Sequence, residues 1–243
     1  MSEIVRIDPQ TDALLITDAT PTFMPGGGLA VPGGDEIVPG ILAIAPNFQP
    51  NRIYATEDEH PHGHISLFSS YSGVEPYADL TSEMAADWGE NRIASSDFDL
   101  AYLRWYLSNC IGRKQTAWPH HGLPHWRETR LHPEIARLDP VRRVKGTDPR
   151  CDSYSALRDN LGRRTGLGPE LRGAGVYRLF LCGLAFNFCI GYSAKDAKHE
   201  GFETFVIEDL TRSVPIPGSA EAMRRELEDS DVSIISSDQL VRG

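Results

Sequence analysis

The run Ala13-Leu14-Leu15-Ile16-Thr17-Asp18 decides how the chain is read. A continuous apolar run closed by a carboxylate describes a strand buried on both faces of a parallel sheet. A turn-rich stretch follows over 21–34, and Asp35 is placed to cap a helix running toward Asn47. Arg52-Ile53-Tyr54-Ala55-Thr56 reads as the next strand, closing at Glu57-Asp58. Farther on, Val141–Lys145 reads as a short strand, 176–182 as a strand and 187–199 as a helix. A strand over 202–208, a helix over Ser219–Asp229 and a strand over 232–236 complete the series. This alternation predicts an α/β fold, a doubly wound three-layer sandwich with a mostly parallel sheet and right-handed crossovers. No repeat or low-complexity linker divides the chain, so 1–243 reads as a single domain. Phe98, Tyr102, Trp105 and Tyr106 fall at helical spacing. They mark 85–115 as a helical insertion that could cover a site or build a homo-oligomer contact. Weaker helix candidates lie over 153–161 and 168–173.

Composition excludes several classes. Lys and Arg number 24 against 34 Asp and Glu, a net charge of -10. That argues against a nucleic-acid partner, whose affinity comes mostly from cations on phosphates, and against a polybasic membrane anchor. No apolar run approaches the ~18 residues of a membrane span. The first ten residues have no apolar core, so no secretory signal is expected. Cys110, Cys151, Cys182 and Cys189 form no CxxC pair, which predicts a reducing, cytoplasmic setting and thiols rather than disulfides.

Ligands of an open α/β sheet bind outside the carboxyl ends of its strands. Asp18, Asp58 and Lys145 stand at such ends, and Cys189 lies just past Leu181-Cys182-Gly183-Leu184, early in the expected helix. There the helix dipole and unpaired N–H groups favour a thiolate, and the same N–H groups could hold an oxyanion. Asp18 could act as general base and Lys145 could tune the thiol. Taken singly, the same residues also fit a packed cysteine, a solvated strand-end carboxylate and a surface lysine. Asp58-Glu59-His60-Pro61-His62-Gly63-His64 and the group His120, His121 and His125 add imidazoles in two loops. With Asp58 they suit zinc, or iron or manganese with added waters; the alternative is solvated loop histidines. Pro25-Gly26-Gly27-Gly28 matches neither phosphate-loop pattern and reads as a tight loop bringing Phe23 and Leu29 over a pocket.

Four blocks resemble the nicotinamidase branch of the isochorismatase-like cysteine hydrolases. They are Leu14 to Gly34, with Asp18, Phe23, Pro25-Gly26-Gly27 and Leu29-Ala30-Val31-Pro32-Gly33-Gly34-Asp35; Asp58-x-His60-x-x-x-His64 with Gly73-Val74-Glu75-Pro76-Tyr77; Trp118-Pro119-x-His121 with Leu131-His132-Pro133; and Lys145-Gly146, Asp152-Ser153-Tyr154-Ser155-Ala156 and Gly183-Leu184-Ala185-x-x-x-Cys189. The resemblance implies Cys189 as nucleophile, Asp18 as base and acid, and Lys145 as third member of a triad. It implies one divalent metal, zinc before iron or manganese, on Asp58, His60, His64 and His121, holding a pyridine nitrogen. It implies an oxyanion hole from the N–H groups of Ala185 and Cys189, with a cis peptide bond after Ala185. Phe23, Trp118 and Tyr154, joined by Leu29, would line the pocket. The implied reaction converts nicotinamide to nicotinate and ammonia through a thioester, a step of NAD salvage. Two segments depart from the family pattern. Asp18-Ala19-Thr20-Pro21-Thr22-Phe23 replaces Asp-x-Gln-Asn-Asp-Phe, and Phe186-Asn187-Phe188-Cys189 replaces Thr-Asp-Tyr-Cys. They leave open another small amide, or a non-catalytic metal-binding member of the fold. The vinyl-ether hydrolysis of isochorismatase needs no thiol, so Cys189 counts against it. His62 and His120 stand beside the implied ligands as competitors.

Overall fold

The structure, a computed structural model, describes residues 4–243. Of the N-terminal stretch 1–10 read above, positions 1–3 lie outside the described residues. In chain order, β1 (Val5–Ile7) and β2 (Asp12–Thr17) precede α1 (Val38–Ile44) and β3 (Ile53–Asp58). Next come β4 (Asp79–Thr81), α2 (Ser82–Ala86), α3 (Leu100–Asn109), β5 (Lys114–Thr116), α4 (Pro133–Ala136) and β6 (Val141–Lys145). The remainder is α5 (Leu167–Gly173), β7 (Arg178–Leu184), α6 (Gly191–His199), β8 (Glu203–Arg212), α7 (Ser219–Asp229), β9 (Ser233–Ile235) and β10 (Leu240–Arg242).

Six of these strands form a parallel sheet in the order β6-β3-β2-β7-β8-β9. The opening apolar run is its centre, wholly buried. Because side chains alternate across a strand, Leu14 and Ile16 join Ile41 and Ile44 of α1 in one core layer. Ala13 and Leu15 join Leu171, Ala194 and Leu227 of α5, α6 and α7 in the other. Helices thus cover both faces, as the alternation predicts, and the strand order reverses beside β2.

Local chemistry explains the departures. The helix expected from Asp35 is shorter: Ile37 precedes α1 without a side-chain cap, and Pro39 occupies its first turn. The stretch 153–161 is not helical. Asp152, Ser155 and Asn160 side chains take the N–H groups of Ser153, Leu157 and Tyr154 at 2.8, 3.0 and 3.1 Å, so the backbone bonds of a helix are replaced. The expected insertion over 85–115 is part of a larger unit. Ile65, Tyr71, Leu80, Leu103 and Tyr106 build a third apolar cluster under α2, α3 and the antiparallel pair β4-β5. Asp99 caps α3 by accepting the Tyr102 N–H at 2.7 Å. The small parallel pair β1-β10 had no sequence signal.

Candidate active site

The site lies at the carboxyl ends of β2, β3, β6 and β7. Asp18 follows β2 directly, in the left-handed region at φ 48°, a strained position that Asp tolerates better than most residues. Thr56 pins it twice: its hydroxyl accepts the Asp18 N–H at 3.1 Å and donates to Oδ1 at 2.6 Å. Next to Asp18, Gly183 approaches the backbone so closely that a Cβ there would lie 2.0 Å from the Thr17 carbonyl oxygen. Lys145, the last residue of β6, sits in register opposite Asp58 of β3. Its ammonium is 3.0 Å from Asp18 Oδ2 and 3.0 Å from Asp58 Oδ1. It donates to the Ser153 carbonyl at 2.9 Å and to Cys189 Sγ at 3.5 Å. All four side chains are buried. Among the described residues Asp18 Oδ2 faces the Lys145 ammonium, which sets it beside the thiol.

Cys189 lies in a wide turn over Phe186–Ile190 that runs into α6. The Ala185 carbonyl accepts from Phe188 and Ile190 at 3.0 and 3.1 Å and passes over the Cys189 N–H. The cis peptide bond joins Leu184 to Ala185, so it precedes Ala185 instead of following it. The thiolate expectation also needs correction. Burial raises the Cys189 thiol well above its ordinary pKa against the pull of Lys145, and Asp18 and Asp58 raise it further. The resting group is a thiol. Burial likewise raises Asp18 above the usual carboxylate range, opposed by Lys145. Burial works against the Lys145 charge, but Asp18 and Asp58 hold it as an ammonium.

Across the cleft, Asp58 Oδ2 faces His60 Nε2 at 3.2 Å and His121 Nε2 at 3.7 Å. The other nitrogen of each ring meets a carbonyl: His60 Nδ1 that of Gly146 at 2.9 Å, His121 Nδ1 that of Pro119 at 2.8 Å. A carbonyl can only accept, so both Nδ1 atoms carry hydrogen and both Nε2 atoms turn toward Asp58 Oδ2. Burial opposes a charge on His60, yet Asp58 lifts it to about 9, so the site favours positive charge. Burial would raise Asp58, but His60 and Lys145 hold it well below the usual range. One carboxylate oxygen and two imidazole nitrogens, buried and converging, fit a divalent cation.

His64 does not converge with Asp58 and His121. Its Nδ1 accepts the Ser66 N–H at 3.2 Å and its Nε2 meets the Cys151 carbonyl at 3.3 Å, so both nitrogens are engaged within the protein. Its ring stacks on His60, 4.1 Å between centroids. His62 is exposed and His120 packs on Phe68; among the described residues neither joins a convergent metal-ligating group.

Between the two sides lies a small, narrow cleft. Phe23, Leu29, Trp118, Tyr154, Ala185 and Cys189 line it, together with three residues the sequence reading did not assign there, Asp152, Phe188 and Val214. Phe188 stands edge-on to Trp118 at 4.8 Å and to Tyr154 at 5.4 Å. Asn187 straps Val214 to the thiol turn, donating to its carbonyl at 2.9 Å and accepting its N–H at 3.0 Å.

The isochorismatase domain model matches residues 109–239. A nicotinamidase of Acinetobacter baylyi is 31% identical over 228 residues, 93% of this chain and 92% of that one. The chain belongs to the isochorismatase family, in its nicotinamidase branch. A nicotinamidase of Escherichia coli is 33% identical, with 84% of each chain covered. Among solved structures, an Acinetobacter baumanii nicotinamidase/pyrazinamidase superposes with a TM-score of 0.79 at 29% identity, covering 96% of this chain and 99% of that one. PnC1 of L. infantum, solved with nicotinate, gives 0.72 at 27% identity with 98% of each chain covered. A pyrazinamidase of Pyrococcus horikoshii in complex with zinc gives 0.61 at 25% identity, covering 93% and 98%. In this family setting, no helix among the described residues is long and apolar enough to cross a membrane.

Proposed function

We propose that this protein hydrolyses nicotinamide to nicotinate and ammonia, with Cys189 as nucleophile and a divalent metal ion beside it. The observation that carries the reading is Lys145, whose ammonium touches Asp18, Cys189 and Asp58 at once and so ties the thiol to the ion-binding side. Phe23, Leu29, Trp118, Tyr154 and Phe188 offer a flat aromatic ring apolar walls.

The thiol rests protonated, so attack and proton transfer go together. As Cys189 Sγ bonds the carboxamide carbon, its proton passes to the Asp18 carboxylate. The N–H groups of Ala185 and Cys189 receive the oxyanion. Asp18 returns the proton to the leaving nitrogen, ammonia departs and a thioester remains. Water, deprotonated by Asp18, cleaves the thioester and restores the thiol. Lys145 keeps Asp18 charged and oriented against the cost of its burial. Asp58, His60 and His121 would hold the ion, which when bound supplies a Lewis-acidic anchor for the ring nitrogen of the substrate; zinc leads iron and manganese for this donor set. His64 holds the loop of His60 in place of ligating. The surroundings are expected to be cytoplasmic and the partner a small molecule.

The deciding experiment measures ammonia released from nicotinamide by purified protein, with and without a chelator. Release that the chelator abolishes and divalent metal restores is expected. No release under any metal condition, with cleavage of another amide, overturns the substrate.

A further inference from the structure

Asp152 is a buried carboxylate on the cleft wall for which the mechanism has no use. It is 2% exposed and shares the lining with Asp58 and His121. Its Oδ2 accepts from Gln115 Nε2 at 2.9 Å and its Oδ1 from the Ser153 N–H at 2.8 Å. Gln115 is itself fixed from α3, where the Tyr106 hydroxyl donates to its Oε1 at 2.8 Å. Among the described residues no Lys or Arg pairs with Asp152. The nearest cationic group is His60, with Nε2 4.0 Å from Oδ1, too long for a hydrogen bond and close enough for charge attraction.

The buried charges around the cleft do not balance. With His60 neutral, as an ion's ligand must be, Asp18, Asp58 and Asp152 face a single ammonium, Lys145. Burying carboxylates without counter-charge is unfavourable, and a divalent cation would offset the excess of two negative charges. Asp152 belongs to the His60 and His64 grouping rather than to the Asp58, His60 and His121 convergence. With His64 engaged on both nitrogens, Asp152 has no second ligand beyond the shared His60. It therefore acts on the ion from outside the ligand set.

We propose that Asp152 is a positioning residue of the ion site: its charge, set in place by Gln115 and Ser153, raises the affinity for a divalent cation without ligating it. This makes α3 and the third apolar cluster a support for the ion side of the cleft. The inference rests on the metal reading above, and the test separates the two.

The full chain, stripped of metal, is titrated with zinc against a fluorescent chelator. Cys189 alkylation rate and circular dichroism confirm that each variant is folded. Asp152→Asn, which keeps shape and removes charge, is expected to weaken zinc binding ten- to a hundredfold, on the order seen for outer-shell partners. Gln115→Met removes the Oδ2 bond and keeps the charge, so its affinity is expected within about threefold of the parent, well inside that outer-shell range. His121→Ala serves as the ligand-loss reference. Zinc binding by Asp152→Asn equal to the parent, while His121→Ala loses zinc, overturns the Asp152 role alone. Equal loss in Gln115→Met and Asp152→Asn overturns it too, by reducing it to packing. Parent-like binding by His121→Ala overturns the metal reading and this inference with it.

Discussion

The thiol side of the cleft hangs from the sheet, whereas the ion side hangs mostly from loops. Asp18 and Lys145 follow or end β2 and β6, and Cys189 follows β7 within one wide turn. Their separations are set by strand spacing and register, as with Asp58 opposite Lys145. His60 and His121 stand on irregular backbone, and each ring is aimed by one carbonyl. Geometry inherited from a ladder resists local change, whereas geometry resting on single hydrogen bonds is set residue by residue. Substitutions on the first side should therefore change chemistry with binding intact, and those on the second should change ion affinity first.

The largest effect should follow Cys189→Ala. Turnover of nicotinamide is expected to fall on the order of 10⁴-fold or more, as for removal of other catalytic nucleophiles, while metal content by elemental analysis stays at the parent level. Retained turnover would break the division by removing the thiol from the reaction. His121→Ala should weaken zinc affinity by at least about a hundredfold, beyond the range for outer-shell partners. Restoration of part of the activity by excess zinc would confirm that the thiol side survives. Thr56→Val probes the seam between the sides. Asp18 already titrates above the ordinary range, and a base works only when deprotonated, so activity falls as pH drops through that value. Loss of the hydroxyl donor to Oδ1 raises it further, moving the acid limb of kcat/KM up by about one pH unit, the size of a hydrogen bond to a charged group. Thr56→Ser should restore the limb; an unmoved limb in Thr56→Val would take Asp18 out of the role of base. The smallest effect is expected at Phe188→Ala, where loss of two edge-on ring contacts should raise KM about fivefold with kcat nearly unchanged.

The sheet and the thiol side were legible because each depends on short-range pattern. An apolar run closed by Asp18 reports its own burial, and Val141–Lys145 reports both strand and strand end. The ion side was half legible. Spacing alone cannot tell a free lone pair from an engaged one, so His64 reads like His60 until Ser66 and the Cys151 carbonyl come into view. Asp152, Asn187 and Thr56 acquire meaning through partners 37, 27 and 38 residues away, and no local signal carries such pairings. The third cluster is legible only as one amphipathic helix, since several of its other members, such as Ile65, Tyr71 and Val74, lie in stretches with turn-like composition.

Gly146 joins the two sides in a single peptide step. It follows Lys145, its carbonyl aims His60, and a Cβ on it would lie 2.5 Å from the His60 ring and 2.8 Å from Asp58 Oδ1. While His60 and Asp58 stay in place, this position must stay bare or the backbone next to the ammonium must be rebuilt. Under the proposed reaction, nucleophile positioning and substrate anchoring thus share one backbone step, and a change in one is felt by the other.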